Sequence, residues 1–148
     1  MKIAIIYHSE HHGNTKKVLD AIAQEHKVTL IEAIPNQSID LTPHDLIGFA
    51  SGNYFSKLHD NVINAADQNL PQQKNVFLLY TYGAKVPKTA DIEQIFKTKN
   101  ATLLGAFGCK GFDTVGGFKY IGGIAKGHPT AQDLTNACNF FQELIKKN

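Results

Sequence analysis

Ile3-Ala4-Ile5-Ile6-Tyr7 runs into His8-Ser9-Glu10-His11-His12-Gly13-Asn14-Thr15, and the way the first stretch gives way to the second decides the fold. The first stretch is apolar without alternation, the pattern of a strand buried on both faces. Beyond Thr15, Val18, Ala21 and Ile22 recur at helical spacing, so the small and polar residues between form a strand-to-helix turn. A helix opens with unpartnered backbone N–H groups and the positive end of its dipole, which together favour an anion. Gly13 lets the backbone come close to such an anion, and Ser9, Asn14 and Thr15 add short hydrogen-bonding side chains.

Further along, the same alternation repeats. Val28-Thr29-Leu30-Ile31 predicts a second strand, Leu46-Ile47-Gly48-Phe49-Ala50 a third, Val76-Phe77-Leu78-Leu79-Tyr80 a fourth and Ala101 to Phe107 a fifth. Leu58, Val62, Ala65, Ala66 and Leu70 mark one helix, and Ile92, Ile95 and Phe96 mark another, opened by Pro87. A last helix begins at a capping box of Thr130 and Asp133 and carries Leu134, Ala137, Cys138, Phe141 and Ile145 on one face. Pro35, Asn36, Ser38 and Pro43 leave only a turn between the second and third strands. Alternating strands and helices give an α/β domain spanning residues 1–148: three layers, with a doubly wound five-stranded parallel sheet in the flavodoxin-like order 2-1-3-4-5. Such a sheet binds ligands at the carboxyl ends of its strands. There Ser9 to Thr15 would face Ser51-Gly52-Asn53-Tyr54-Phe55, with Thr81-Tyr82-Gly83-Ala84 closing the third side.

Motif arithmetic narrows the anion. Gly122 and Gly127 have P-loop spacing, but His128 stands where the lysine would neutralise a polyphosphate. No GxGxxG follows the first strand, which disfavours a dinucleotide. A loop of hydroxyl and amide groups suits a single terminal phosphate, with flavin mononucleotide (FMN) as the leading candidate.

Composition excludes other classes. The 148 residues fit one domain, and 43% hydrophobic against 19% charged content is that of a globular chain. No apolar run is long enough for a bilayer, and Met1-Lys2 leads straight into a strand without a leader pattern, so the expectation is a soluble cytoplasmic protein without membrane association. A net charge of +2 without a lysine block gives no footprint for nucleic acid. Cys109 and Cys138 form neither a disulfide framework nor a CxxC motif, and both suit core packing. His8, His11 and His12 lack companions at a metal-ligand spacing, so no metal site is expected. A receiver-type signalling module is excluded because the first strand ends without an acidic pair and the third without an acceptor aspartate.

On these residues the chain resembles the flavodoxin family over nearly its whole length. That family's phosphate loop, [ST]xTGN[ST], is matched at Gly13, Asn14 and Thr15, with one extra residue after Ser9 and His12 in place of a threonine. The resemblance implies cofactor contacts at Ser9, His11, His12, Gly13, Asn14 and Thr15. It implies flavin-ring loops at Ser51, Gly52, Asn53, Tyr54 and Phe55 and at Thr81, Tyr82 and Gly83, with Tyr54 and Tyr82 as aromatic partners of the ring. It further implies an electron carrier between a reductase and an acceptor protein, without catalytic residues of its own and with no stable partner evident. The alternative is an FMN-dependent NAD(P)H reductase of quinones or free flavins. Flavodoxins are typically acidic, whereas this chain is slightly basic, so attraction to a basic reductase should be weak. Cys109 to Pro129 reads as a long glycine-rich segment, either functional, as a lid would be, or a flexible surface loop, with Asp113 capping or pinning it; Phe112, Phe118 and Tyr120 could cover the flavin, bind a partner or pack the loop down, and packing is favoured for most of them.

Overall fold

In a computed structural model of the 148-residue chain, every residue is described except for the side chain of His11, so the expectation for His11 lies outside the described residues. The elements are β1 (Ile3–His8), α1 (Asn14–Glu25), β2 (Thr29–Glu32), β3 (Leu46–Ser51), α2 (Asp60–Asn69), β4 (Asn75–Tyr82), α3 (Ala90–Thr98), β5 (Thr102–Lys110) and α4 (Ala131–Lys147). The strands form one parallel sheet in the order β2-β1-β3-β4-β5. Among the described residues, no helix is long and apolar enough to cross a membrane.

The three central strands are buried almost throughout because both faces are covered. Ala4, Ile6, Ile47, Phe49, Val76 and Leu78 face one core with Val62, Ala66, Ile92 and Phe96 of α2 and α3. Ile3, Ile5, Leu46, Phe77 and Leu79 face the other with Val18, Leu19, Ile22, Ala137 and Phe141 of α1 and α4. Glycines make room for rings between adjacent strands. Gly48 is registered against Phe77, and a Cβ on it would lie 2.3 Å from the Phe77 ring. Gly108 is registered against Tyr80, where a Cβ would come within 2.1 Å of that ring.

Several expected boundaries move. Pro87 does not open α3, which starts at Ala90 behind an irregular stretch. Leu58 lies outside α2, whose N-cap is His59, with its Nδ1 accepting from the Asn61 N–H at 3.0 Å. Tyr82 and Ser51 end strands and do not open loops, and β5 runs on through Cys109 to Lys110. The segment after β5 is not structureless. It holds a 3-10 turn at Gly116–Ile121 and is closed by paired hydrogen bonds between Asp113 and Ile124, at 3.0 and 2.9 Å. The capping box at Thr130 and Asp133 forms as expected.

A cleft at the carboxyl edge of the sheet

The N-terminus of α1 is the hub on which the other loops are hung. Before it, His12 and Gly13 both adopt left-handed backbone, with φ of 67° and 65°. A Cβ on Gly13 would meet nothing within 4 Å, so glycine is favoured here by its conformation and not by lack of space. Ser9 Oγ accepts from the Lys16 N–H at 3.1 Å and so satisfies one donor of the first turn. Thr15 and Thr81 share a buried hydroxyl–hydroxyl bond of 2.9 Å that ties the end of β4 to α1. Asn14 Nδ2 donates to the Phe112 carbonyl at 2.8 Å and ties down the segment after β5. A Cβ on Gly111 would lie 2.6 Å from that amide, which is why the close approach needs glycine.

The loops are also tied to one another. The Glu10 N–H donates to the Tyr54 hydroxyl at 3.2 Å, and Asn53 Nδ2 donates to the Lys85 carbonyl at 2.9 Å. His12 Nε2 bonds Thr114 Oγ1 at 3.0 Å while its ring leans on Phe112, with centroids 4.4 Å apart. A Cβ on Gly83 would collide with Asp113 at 2.7 Å, and Asp113 in turn caps its own turn by accepting from the Val115 N–H at 2.8 Å. Such mutual ties hold a cleft open in one shape.

The resulting cleft encloses about 790 Å³ including its open mouth. Asn14, Thr15, Gly52, Asn53, Tyr54, Phe55, Thr81, Tyr82 and Gly83 line it, so the three expected loops converge. Ser9, His12, Gly13 and Ser51 do not line it. Ser51 is fully buried, its hydroxyl donating to the Gly52 carbonyl and accepting from the His59 N–H. Ser9 instead caps the first turn of α1, and the exposed His12 reaches across to Thr114. A fourth wall, Gly111, Phe112, Asp113, Val115 and Phe118, comes from the glycine-rich segment, whose covering of the cleft the sequence left open. Its clustered glycines and aromatics were the available signal. Of the aromatics expected to pack, Phe112 and Phe118 are partly buried, whereas Tyr120 is 81% exposed.

Two features of the lining call for a ligand. Asn14 Oδ1 and Asn53 Oδ1 are buried acceptors without a protein partner, a costly condition that hydroxyl or N–H donors of a bound molecule would relieve. Phe55 is 99% exposed at the tip of a two-residue turn in which Phe55 and Ser56 have φ of 53° and 67°. A fully exposed ring on left-handed backbone does nothing for folding. Tyr54, expected as a ring-stacking partner, lines the cleft and is held edge-on to His8 and His59, and burial pushes its hydroxyl pKa up to about 12.

Beneath Tyr54 lies a polar cluster. His8 Nε2 bonds Glu10 Oε1 at 2.8 Å, and the His8 and His59 rings stack at 3.6 Å, only 9° from parallel. The ligand atoms of His8, Glu10 and His59 fall within 4.8 Å of one another. A metal needs lone pairs that converge in the ring planes, and two parallel stacked rings cannot aim at one ion. His59 Nδ1 is further committed to capping α2. Burial, with the neighbouring His8, lowers the pKa of His59. The two cysteines are both buried, and burial raises the Cys109 thiol pKa to about 12, which suits packing and not reactivity.

Comparison with known proteins agrees with this geometry. A family model described as a flavodoxin domain matches residues 4–112. An uncharacterised protein of Methanocaldococcus jannaschii is 36% identical over 150 residues, covering 99% of both chains. Flavodoxin 2 from Bacillus cereus superposes with a TM-score of 0.73 at 20% identity over 100% of both chains. A general stress protein 14 from Treponema denticola, solved in complex with FMN, gives 0.66 at 13% identity over 99% of both. A flavodoxin variant from Fusobacterium nucleatum bound to flavin mononucleotide gives 0.68 at 13% identity, covering 99% of this chain and 97% of that one. With the five-stranded order and the cleft at the end of β1, this chain belongs to the flavodoxin domain family.

Proposed function

We propose that the protein binds FMN in this cleft and works as an electron carrier between redox proteins. The observation that carries the reading is the pair of buried, unpartnered acceptors, Asn14 Oδ1 at the N-terminus of α1 and Asn53 Oδ1 on the loop after β3, which line the same cleft. A phosphomonoester suits the unpartnered N–H groups of the first turn of α1, where the dipole favours negative charge. Ribityl hydroxyls are donors of the kind the two amide oxygens lack. The FMN-bound relatives from Treponema denticola and Fusobacterium nucleatum support the same assignment.

Bound flavin would supply the one- and two-electron chemistry. The chain's own part is to orient and shield. The first turn of α1 anchors the phosphate, and the shared hydroxyl bond of Thr15 and Thr81 fixes the floor. Phe112 and Phe118 supply an apolar wall from the glycine-rich segment, and Phe55 is poised at the mouth to cover an aromatic ring. Cys109 and Cys138 take no part, since both thiols are buried.

The test is to reconstitute the purified chain with FMN and follow the flavin spectrum anaerobically with NAD(P)H, with and without an added flavodoxin reductase. The carrier reading expects a flavin spectrum that bleaches only when the reductase is present. Direct and rapid oxidation of NAD(P)H by the chain alone would favour an FMN-dependent reductase, and failure to take up FMN would remove both readings.

A further inference from the structure

A carboxylate stands close to where an anion is to bind. Glu10 lines the cleft from within the turn that leads into α1: the Ser9 hydroxyl before it accepts from the Lys16 N–H, and its own carbonyl accepts from the Gly13 N–H at 3.3 Å. Its side chain is half-exposed, and its negative charge competes with a phosphate for the positive end of the α1 dipole. Behind it is a group that can cancel that charge. His8 Nε2 lies 2.8 Å from Glu10 Oε1 on a side chain only 10% exposed, and His8 Nδ1 is buried without a protein partner.

The surroundings decide which nitrogen can take up a proton. With Nε2–H donating to the carboxylate, neutral His8 keeps its one open lone pair on Nδ1. His59, stacked on it at 3.6 Å, cannot serve instead: its Nδ1 already accepts from the Asn61 N–H, and a proton there would undo the cap of α2. Burial, and after it the neighbouring His8, lowers the pKa of His59, in keeping with a ring held neutral. Two charged imidazoles at that spacing would repel, so the pair holds one proton at most beyond neutrality. The other groups around the pair leave this assignment intact. The Tyr54 hydroxyl, pushed up to about 12 by burial, carries no charge, and Asp60 beside His59 is paired with Lys57 at 2.9 Å. β3 places the uncharged Ser51 opposite His8. Tyr7 packs on the other face of the sheet, the side of α1 and of the Lys16–Asp20 pair, and the exposed Glu32 of β2 is registered against Tyr7 and not against His8.

We propose that His8 and Glu10 are a proton-linked charge regulator of the cleft: a phosphomonoester arriving at α1 draws a solvent proton onto His8 Nδ1, and the resulting imidazolium cancels the Glu10 carboxylate. The coupling is reciprocal, so the anion raises the proton affinity of the pair and the proton raises the affinity for the anion. The phosphate ester should therefore be held more tightly on the acid side of the histidine range, and a flavin without a phosphate should be indifferent. This inference rests on the FMN reading for its ligand.

Calorimetry of the cofactor-free chain with FMN, in phosphate-free buffers that differ in ionisation enthalpy, counts the protons taken up on binding. A phosphate ester itself titrates at about pH 6, so each value is read against Glu10→Gln and His8→Gln, which share that background. At about pH 6.5 the native chain should take up at least about 0.2 proton per FMN more than either variant. From about pH 5.5 to about pH 8 its FMN affinity relative to Glu10→Gln should fall at least about threefold, with no such divergence for riboflavin. Glu10 is half-exposed, so Glu10→Gln keeps the test decisive if His8→Gln fails to fold. In NMR spectra the His8 ring should titrate at higher pH with FMN bound than without it, and a shift on His59 alone would overturn the assignment. FMN binding with equal proton uptake in native chain and variants, or an equal divergence with riboflavin, would overturn this inference and leave the FMN reading standing. Failure to bind FMN would overturn both.

Discussion

The interior of the sheet and the mouth of the cleft treat the same residue types in opposite ways. Inside, every departure from a regular strand is filled: Gly48 and Gly108 are empty of side chain because Phe77 and Tyr80 lie across them. At the mouth, buried amide oxygens of Asn14 and Asn53 lack protein partners, and Phe55 is presented to solvent on left-handed backbone. The interior is arranged for the fold and the mouth for something that binds there. The two regions should therefore separate under mutation, with stability lost in one and binding in the other.

The largest expected effect is in the interior. Phe141 is fully buried where α4 meets the sheet, so Phe141→Ala should cost about 3–5 kcal/mol by chemical denaturation while leaving the ratio of FMN to riboflavin affinity unchanged in the folded fraction. Gly111→Ala lies where the two regions meet. Its methyl group would strike the Asn14 amide, so a loss of about 1–3 kcal/mol should come with weaker FMN binding. Phe55→Gly should do the reverse of a core mutation. Relief of left-handed strain should leave stability unchanged or raise it by up to about 1 kcal/mol, while FMN affinity falls. Loss of stability with intact binding would show that the Phe55 turn is structural after all.

The smallest effect is one of pH. Burial depresses the pKa of His59 below its ordinary 6.5, so the unfolded chain takes up a proton before the folded one does. The stability tied to neutral His59 is therefore complete above about pH 6.5 and is lost as the pH falls through the window below it. His59→Asn retains a residue able to cap α2 and should flatten the slope of the denaturation midpoint between about pH 6.5 and 5. An unchanged slope would place the proton uptake elsewhere. The depressed carboxylates of Asp40, Asp60 and Asp133 matter only in more acid solution, because their stability is lost below the ordinary carboxylate range.

How much of this was legible beforehand follows from the range of the forces involved. Buried strands such as Ile3 to Tyr7 and Leu46 to Ala50 announce themselves by local apolar content, and the capping box at Thr130 by two residues three apart. The sheet order then came from general topology, and the convergence of Asn14, Gly52 and Thr81 from that order. What sequence reading missed is set by contacts across the chain. The stacking of His8 on His59 joins residues 51 positions apart, and nothing near either one signals it. Whether the segment from Gly111 to Phe118 covers the cleft, which the sequence left open, depends on the Asn14–Phe112 bond and on the space vacated at Gly83, both long-range. Ser51 was expected in the cleft from its place at a strand end, but its side chain turns to the backbone of its own loop and of His59. Side-chain direction at a strand end depends on the pleat, and one extra strand residue is enough to reverse it.

The central claim is that α1 ends in a phosphate site within a flavin cleft, and titration calorimetry of the cofactor-free chain with FMN and with riboflavin tests it most directly. The phosphate contacts should make FMN bind at least about a hundredfold more tightly, corresponding to roughly two charge-assisted hydrogen bonds. Equal affinity for the two flavins, or binding of neither, would contradict the account.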